Sequence, residues 1–342
     1  MTLNERIESF SELGEFLRNS VNVPESGFNS ESGNLINNQQ YKNLWFTPDN
    51  VMMAIKAIAH ELTYENLLKW TSNYPELNSE TKTGNIGLVM AGNIPLAGFH
   101  DFLSVLISGH NLIAKTSSKD PDLILFIRDI LNKINPGFTK KVRFAEGPIS
   151  GFDAVIATGS DNSSRYFEYY FGRCPHIIRK NRNGIAVIEG DETGLELERL
   201  GSDVFSYFGL GCRNVSKIYI PEGYNLLKLT QNWKEYSSVI NHTKYSNNYD
   251  FNKAVYLVNK EWFTDTGYLL LKENMGISSP VAVLYFEYYN SLNDVLRNIE
   301  SINEKVQCVV NRNRIPFGSA QSPHLWDYAD GIDTLEFLLK KK

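Results

Sequence analysis

The sequence predicts an α/β protein with parallel sheets, and three features support this prediction. Short apolar runs, such as IGLVMAG (86–92) and NLIAKTS (111–117), have the length of buried strands. Amphipathic segments of helical length alternate with them, and proline, aspartate or glycine stands at their ends. Because strand–helix–strand units of this length form right-handed crossovers, each sheet should be parallel and covered on both faces.

The alternating elements fill the middle of the chain. Strands are predicted at 86–92, 111–117, 142–146, 152–158 and 184–190, with another after Cys212, and helices at 95–109, 120–134 and 193–208. The helix at 95–109 has a proline in its first turn. These elements predict a dinucleotide-type sheet and then a second α/β unit, with a boundary near 174–180.

The two ends of the chain show other patterns. Residues 1–40 predict a short helix and then a loop over 26–39, which is rich in Asn, Ser and Gly. Residues 47–73 predict two packed helices, one opened by Pro48 and the other by Thr63. The segment 314–338 ends in an apolar, strand-like run that should dock on another element or on another subunit.

Length and composition exclude several classes of protein. The chain has 342 residues, 42% of them hydrophobic, which predicts a globular protein of two domains. Its net charge is −5 and its basic residues are scattered, so no nucleic-acid partner is expected. The N-terminal MTLNERIESF lacks the regions of a signal peptide, and no run approaches the ~18 apolar residues of a membrane span. A cytoplasmic protein is therefore expected.

One of the three cysteines is a candidate nucleophile. Cys174, Cys212 and Cys308 lie far apart, with no CxxC pair and no His/Cys spacing that would bind zinc, so neither a disulfide framework nor a metal site is expected. Cys212 lies in GLGCRNVSKIYIP (209–221), between glycines and directly before an apolar strand. A thiol at the end of an element can be activated by backbone N–H groups or by cations. The alternative is a buried structural thiol.

Candidate ligand-binding groups follow the predicted strands. Asn93, Lys115 and the TGS turn (158–160) each stand at a strand's carboxyl end, where open α/β sheets bind ligands. No GxGxxG motif is present, and AGNIPLAG (91–98) is a loose substitute. Taken singly, such an asparagine is usually a turn residue, and such a lysine usually faces solvent.

The order of these features resembles the aldehyde dehydrogenase superfamily, and more closely its LuxC-type acyl-CoA reductase branch. The matching segments are 46–70, 91–121, 156–172, the Cys212 stretch and 316–338. The resemblance implies an aldehyde-dehydrogenase-like fold of two three-layer α/β domains with parallel-type sheets. It implies N-terminal helices with a dinucleotide-binding domain (1–175), a catalytic domain with the cysteine (176–315), and a C-terminal segment (316–342) that returns to the cofactor domain or a subunit interface.

The resemblance also implies roles for individual residues. Cys212 would be the attacking thiolate, and Asn93 would stabilise the oxyanion together with the Cys212 backbone N–H. Gly92 and Lys115 would contact the cofactor, with Lys115 at the adenosine ribose. Gly159 and Ser160 would lie against the pyrophosphate or the nicotinamide end, because glycine permits close approach of the backbone.

Departures from the superfamily pattern narrow the expected chemistry. Hydrolytic members carry a glutamate base 34 residues before the cysteine, where this chain has Ile178, so an acyl-enzyme should persist until a thiol or hydride arrives. The acidic residue of NAD-preferring members corresponds to Ser118, which can accommodate a 2′-phosphate and favours NADPH. The EIFGP motif, whose glutamate touches the nicotinamide ribose, corresponds to GISSPV (276–281), with Glu273 nearby but displaced.

The resemblance and these departures together imply an NADPH-dependent reductase that converts an acyl-CoA, a fatty acyl thioester, to an aldehyde through an acyl-cysteine. CoA enters as part of the substrate, and a homo-oligomer, dimer or larger, is expected. Two alternatives stay open. One is a non-acylating aldehyde dehydrogenase with a substitute base, and the other is a non-catalytic assembly subunit with the same fold.

Overall fold

A computed structural model describes residues 1–21, 31–79 and 83–340. Its contacts divide the chain into two compact units, Met1–Asn181 with His324–Lys342, and Arg182–Pro323. The sequence placed its domain boundaries at 175/176 and 315/316. No helix in the described ranges is both long enough and apolar enough to cross a membrane.

The first unit contains a five-stranded parallel sheet. Its strands are β1 (Asn85–Val89), β2 (Asn111–Lys115), β3 (Val142–Phe144), β4 (Ala154–Thr158) and β5 (His176–Arg179). They lie in the order β3-β2-β1-β4-β5, so the chain leaves β1 toward β2 and later returns to the other side of β1 as β4. The carboxyl ends of β1 and β4 therefore border a topological switch point, the usual ligand crevice of an open α/β sheet.

Helices cover this sheet and share its core. They are α1 (Leu3–Val21), α2 (Glu31–Lys42), α3 (Pro48–Glu61), α4 (Tyr64–Thr71), α5 (Phe99–Ile107), α6 (Leu123–Ile134) and α7 (Asp161–Phe171). Phe10, Trp70 and Phe102 are fully buried in one cluster with Leu88 of β1 and Ile156 of β4. Burial on this scale, at about 25 cal/mol per Å² of apolar surface, is the main stabilising contribution to the unit.

The two helices expected in 47–73 are confirmed. Pro48 is the first residue of α3, as expected, and Thr63 caps α4, but the cap of α3 is Thr47, which the sequence analysis did not identify. The Thr47 and Thr63 side chains accept hydrogen bonds from the backbone N–H groups of Asn50 and Asn66. Each threonine thus satisfies one of the N–H groups that a helix leaves without an internal partner.

Three sequence-based expectations differ from the structure of this unit. Helix α2 occupies much of the predicted loop 26–39, because Ile36 turns into the core; positions 26–30 lie outside the described residues. Helix α5 begins at Phe99, and Pro95 lies in the preceding turn. The strand-like C-terminal run is a helix, α12 (Thr334–Leu339), whose first turn is capped by the Asp333 side chain.

The second unit contains a six-stranded sheet. Its strands are β6 (Asn183–Val187), β7 (Val215–Pro221), β8 (Thr264–Asp265), β9 (Leu270–Glu273), β10 (Val283–Tyr289) and β11 (Val306–Val310), in the order β11-β6-β7-β10-β9-β8. All pairs are parallel except β8 with β9. Its helices are α8 (Gly194–Phe205), α9 (Leu226–Asn232), α10 (Thr243–Val258) and α11 (Leu292–Ser301).

Both faces of the second sheet are buried. Ile218 and Tyr219 are neighbours on β7, so their side chains point to opposite faces, and they belong to two separate core clusters. One cluster contains Leu200 of α8 and Trp233, and the other contains Val295 of α11. The unit therefore has the three-layer arrangement expected of a largely parallel sheet.

The segment after residue 323 belongs to the first unit and is tied there by buried polar groups. Arg179 of β5 pairs with Asp101 of α5 at 2.7 Å, and it also donates to the Ala329 carbonyl and the Thr334 hydroxyl. The buried Glu61 carboxylate of α3 accepts a hydrogen bond from the Leu325 backbone N–H at 3.3 Å.

Candidate active site

Six of the predicted site residues share one edge of the first sheet. Val89 at the end of β1 pairs with Lys115 of β2 on one side and with Ala157 of β4 on the other. The residues at and after the carboxyl ends of these three strands therefore lie along one edge of the sheet, at or beside the switch point. They are Gly92, Asn93, Lys115, Ser118, Gly159 and Ser160.

The turns after β1 and β2 are packed against each other. A Cβ on Gly92 would lie 2.5 Å from the Ser117 hydroxyl, so only glycine fits there without a shift. Asn93 and Ser118 are exposed. The Lys115 ammonium donates to the Gly147 carbonyl at 3.1 Å, which holds the lysine beside the loop after β3.

Asp120, at the start of the helix expected over 120–134, fixes the Asn93 turn. Its buried carboxylate accepts the Leu96 backbone N–H at 2.8 Å. Leu96 has a φ of 56°, a left-handed conformation that costs a non-glycine residue about 1–2 kcal/mol. The Asp120 hydrogen bond holds the backbone in that conformation. It also explains why α5 starts after Gly98 instead of at Pro95.

Burial raises the pKa of Asp120 from 3.8 to about 6, against the opposing effect of hydrogen bonds from the Leu96 and Leu123 backbone N–H groups. The folded protein thus binds this proton more tightly than the unfolded chain. Its stabilising contribution is complete below about pH 4 and is lost as the pH rises through about 6.

Asp120→Asn should therefore gain stability relative to the unchanged protein as the pH rises. The substitution keeps one oxygen for the Leu96 N–H and removes the titration. Between about pH 4 and pH 7, the difference in unfolding free energy should move in favour of the variant by about 2 kcal/mol. Urea unfolding across this range measures it. Asp129→Asn, at an exposed position of α6, serves as control, and a pH-independent difference for Asp120→Asn would contradict the assignment.

The turn after β4 leads directly into a helix. Ser160 is the N-cap of α7, and its hydroxyl accepts the Ser163 backbone N–H. The Gly159 N–H donates to the Arg179 carbonyl of β5 at 3.4 Å, and a Cβ on Gly159 would lie 2.8 Å from the Phe167 ring. A hydroxyl, an ammonium and the N-terminus of a helix at one sheet edge have the chemistry to hold an anionic dinucleotide.

Cys212 lies in the second unit, on a loop that follows a strained turn. Tyr207, Phe208 and Gly209 have φ values of 50°, 57° and 77°. Two consecutive non-glycine residues in this region are uncommon, and such strain is found most often at functional sites. The Cys212 side chain is half-buried, so it combines a protein environment with access to solvent.

Asn214 anchors the cysteine loop from inside. Its side-chain oxygen accepts the Gly211 N–H at 2.8 Å, and its amide donates to the carbonyls of Asp203 at 3.0 Å and Ser206 at 2.8 Å. The backbone also passes close to β6, where a Cβ on Gly184 would lie 2.7 Å from the Asn214 carbonyl oxygen. The loop that presents Cys212 is therefore held in place on both of its sides.

A second buried carboxylate joins this loop to the segment after β11. Asp203 accepts the backbone N–H groups of Gly318 and Ala320 at 2.7 and 2.9 Å, and burial raises its pKa to about 6. Arg213 donates to the Ala320 carbonyl at 3.5 Å. Neither Asp203 nor Asn214 was identified from the sequence, because only the fold shows which backbone groups they meet.

The other two cysteines have different environments. Cys308 is buried, its thiol donates to the Arg213 carbonyl, and burial raises its pKa to about 12. Such a thiol is not ionised near neutral pH. Cys174 donates to the Phe171 carbonyl at 3.1 Å and lies in the first unit.

Two positions at which the sequence departs from the superfamily pattern, Ile178 and Glu273, lie in strands. Ile178 lies in β5, paired with Ala157, and is half-buried. Glu273 is the last residue of β9, directly before the connection that contains 276–281. Cys212 belongs to the second unit, and the six residues at the first sheet's edge belong to the first.

Comparison with solved structures shows the fold. No protein-family model and no curated protein matches this sequence. Aldehyde dehydrogenase 21 from Physcomitrella patens, in complex with succinate, is 13% identical with a TM-score of 0.62, over 91% of this chain and 74% of that one. A Mycobacterium tuberculosis aldehyde dehydrogenase complexed with NAD⁺ is 13% identical with a TM-score of 0.59, over 90% and 77%.

Proline Utilization A from Bradyrhizobium japonicum is similar as well, with 14% identity and a TM-score of 0.63. The match covers 94% of this chain and 40% of that longer one. The chain therefore has an aldehyde dehydrogenase-like fold with two α/β units.

Proposed function

We propose that this aldehyde dehydrogenase-like chain is an NADPH-dependent acyl-CoA reductase with Cys212 as its nucleophile. The observation that supports this most directly is the Cys212 loop: a half-buried thiol on an anchored loop after a strained turn. We propose a soluble enzyme of the cytoplasm that forms homo-oligomers and takes the acyl-CoA as its substrate. The first unit, with its sheet-edge residues, is assigned as the cofactor domain, and the second unit as the catalytic domain.

The proposed reaction begins with attack of the Cys212 thiolate on the carbonyl carbon of the acyl-CoA. A new C–S bond forms to Cys212, the bond to the CoA sulfur breaks, and CoA leaves as its thiolate. The negative charge on the carbonyl oxygen is assigned to the Asn93 amide and the Cys212 backbone N–H, two neutral donors of the type used in oxyanion holes.

The second half of the reaction releases an aldehyde and regenerates the Cys212 thiolate. NADPH, when bound, supplies a hydride for the acyl carbon. Lys115, Gly92, Ser118, Gly159 and Ser160 are the residues assigned to hold it, because they share the switch-point edge and include a cation and a helix N-terminus.

Ile178 distinguishes the proposed acyl-CoA reductase from the first alternative, a non-acylating aldehyde dehydrogenase. It has no ionisable group where hydrolytic relatives carry their base, and general-base assistance is worth roughly 10²–10⁴-fold in rate. We therefore expect the Cys212 thioester to persist for minutes, to transfer to added CoA, and to give aldehyde only with NADPH. Intact mass spectrometry after mixing with acyl-CoA, without nucleotide, measures the adduct and its decay.

Two other results would favour the alternatives. Rapid release of free carboxylic acid from the adduct, without thiol or nucleotide, would mean that another side chain acts as base and would favour a non-acylating aldehyde dehydrogenase. No adduct with any acyl-CoA, while Cys212 still reacts with iodoacetamide, would favour a non-catalytic subunit.

Ser118 provides a test of cofactor choice. It is exposed in the turn after β2, next to Lys119, and its side chain is a neutral hydroxyl and not a carboxylate. We expect tighter binding of NADPH than of NADH. Ser118→Glu should reverse this preference by weakening NADPH binding about tenfold, because the new carboxylate repels the 2′-phosphate. Calorimetry with both nucleotides measures the effect, with Ser118→Gln as the uncharged control. Equal affinities in the unchanged protein would contradict the assignment.

A further inference from the structure

Two positively charged side chains meet at Gly109 in the first unit. The Arg6 guanidinium of α1 lies directly against this glycine, because a Cβ on Gly109 would lie 2.8 Å from Arg6 Nη1. The φ of 87° at Gly109 also favours glycine. The Lys141 ammonium donates to the Gly109 carbonyl at 2.7 Å. Both cations are therefore held beside one backbone residue, and we call them the Arg6–Lys141 cluster.

The Arg6 guanidinium is buried with one of its N–H groups unpaired. Arg6 is 7% exposed, its Nη1 donates to the Met1 carbonyl at 3.0 Å, and no acceptor faces its Nε among the residues that the structure describes. The carboxylate of its neighbour Glu5 instead accepts the Thr2 backbone N–H at 2.6 Å. Because removing a charge from water is costly, buried charges are normally paired. Arg6 therefore has both a charge and a donor that an external anion would satisfy.

The two cations of the cluster disfavour each other. Burial lowers the pKa of Arg6 despite the opposing charge of Glu5, and burial together with the Arg6 charge lowers the pKa of Lys141. Like charges held this close are stabilised by an anion that contacts both. The Lys141 side chain is half-buried, so the cluster extends from the interior of the unit to solvent.

The cluster lies at the opposite edge of the sheet from the candidate cofactor residues. Gly109 precedes β2 and Lys141 precedes β3, so both stand at the amino ends of strands, whereas Lys115 is the last residue of β2. At about 3.3 Å per residue, the length of β2 puts roughly 15 Å between the two edges. An anion at the cluster would therefore occupy a site separate from the cofactor site.

Exposed residues before α1 cover the cluster. The helix begins at Leu3, so Met1 and Thr2 lie outside it, and Met1 is 39% exposed. Helix ends fray readily. The Met1 carbonyl is a neutral acceptor, and hydrogen bonds from a guanidinium to an anionic oxygen are about twice as strong as bonds between neutral groups. An anion from solvent can therefore displace the Met1 carbonyl and reach the Arg6 guanidinium.

We propose that Arg6 and Lys141 bind a phosphate group, from inorganic phosphate or from a small phosphate monoester, and that the bound group holds α1 on the first sheet. Two cations match the charge of about −2 that such a group carries near neutral pH. The planar guanidinium also matches the spacing of two phosphate oxygens. The site goes beyond the proposed reaction, and it binds phosphate whether or not Cys212 accepts an acyl group.

Thermal unfolding in sodium phosphate, compared with sodium chloride of equal ionic strength at the same pH, tests the site. We expect a saturable rise in Tm of about 5 °C with a midpoint near ~1 mM, because phosphate binds the folded protein. Glycerol 3-phosphate is the second arm. A midpoint lower than that of inorganic phosphate assigns the site to a monoester, and a higher one assigns it to free phosphate. An equal rise in chloride, or no saturable rise with either phosphate compound, would overturn the proposal.

Two variants connect the rise in Tm to the cluster. Arg6→Met and Lys141→Met each remove one charge and keep an unbranched side chain, and each should move the phosphate midpoint at least about tenfold higher. Lys141→Met changes a half-buried residue, so it tests the site even where Arg6→Met does not fold, and circular dichroism confirms folding.

Two further lysines supply the controls. Lys140→Met is the matched variant, because Lys140 is the exposed neighbour of Lys141. Lys115→Met removes the cation of the cofactor edge, which could also attract phosphate. Both should keep the midpoint of the unchanged protein. An unchanged midpoint in folded Lys141→Met, or a tenfold shift in Lys115→Met or Lys140→Met, would overturn the assignment to Arg6 and Lys141.

Discussion

Cys212→Ala should abolish acyl transfer from acyl-CoA to the protein while leaving the fold unchanged. The substitution removes the only atom that the proposed reaction uses as nucleophile. It costs little packing, because the side chain is half-buried and the Asn214 side chain holds its loop. The intact mass after incubation with acyl-CoA should show no adduct, and thermal unfolding should be nearly unchanged.

The other cysteines supply the controls for this result. Cys174→Ala should acylate at the rate of the unchanged protein, because its thiol lies in the first unit and bonds to a backbone carbonyl. Cys308→Ala tests the neighbouring buried thiol, whose raised pKa keeps it protonated. Peptide mapping that places the acyl group on Cys174 or Cys308 in the unchanged protein would show that the nucleophile is assigned incorrectly.

Asp101→Ala should destabilise the first unit by about 3–5 kcal/mol, the usual cost of leaving one member of a buried ion pair without its partner. The side chains of Arg179 and Asp101 are 3% and 9% exposed, and the pair joins β5 to α5. Arg179 also donates to the Ala329 carbonyl and the Thr334 hydroxyl, so its charge cannot move into solvent without releasing the C-terminal segment.

Urea unfolding measures this loss of stability, and an exposed ion pair provides the comparison. Glu336→Ala removes a partner of Lys340 from a pair that is more than half exposed, and it should change stability by about 0–1 kcal/mol. The double variant Asp101→Leu with Arg179→Met should recover much of the loss, because no buried charge is then left alone. A loss below about 1 kcal/mol for Asp101→Ala would mean that water reaches Arg179.

Much of the secondary structure could be predicted because its causes are local. The strand at 152–158 and the helix starts at Pro48 and Thr63 follow from apolar runs and from helix-starting residues that are close together in the chain. The C-terminal run is a helix and not the expected strand, because TLEFLL is short and apolar at almost every position, a pattern that strands and buried helices share. Its helix is stabilised by Leu335 and Leu338, both buried in the first unit's core.

The candidate site residues also divide into those that local sequence identifies and those that only the tertiary structure shows. Cys212, Asn93 and Lys115 could be identified because they follow glycine-rich turns or strand ends, which the sequence shows directly. Asp120 and Asp203 could not, since their carboxylates meet the backbone of Leu96 and of Gly318 across long stretches of chain.

The sequence by itself determined the α/β class, the order of its central strands and helices, and the residues that stand at strand ends, because these depend on side-chain periodicity and on turn chemistry. Tertiary structure alone decided the shape of the turns that present Asn93 and Cys212. Both turns contain left-handed non-glycine residues, and local preference disfavours that conformation. Buried groups from distant segments, Asp120 for the first turn and Asn214 for the loop that follows the second, stabilise it.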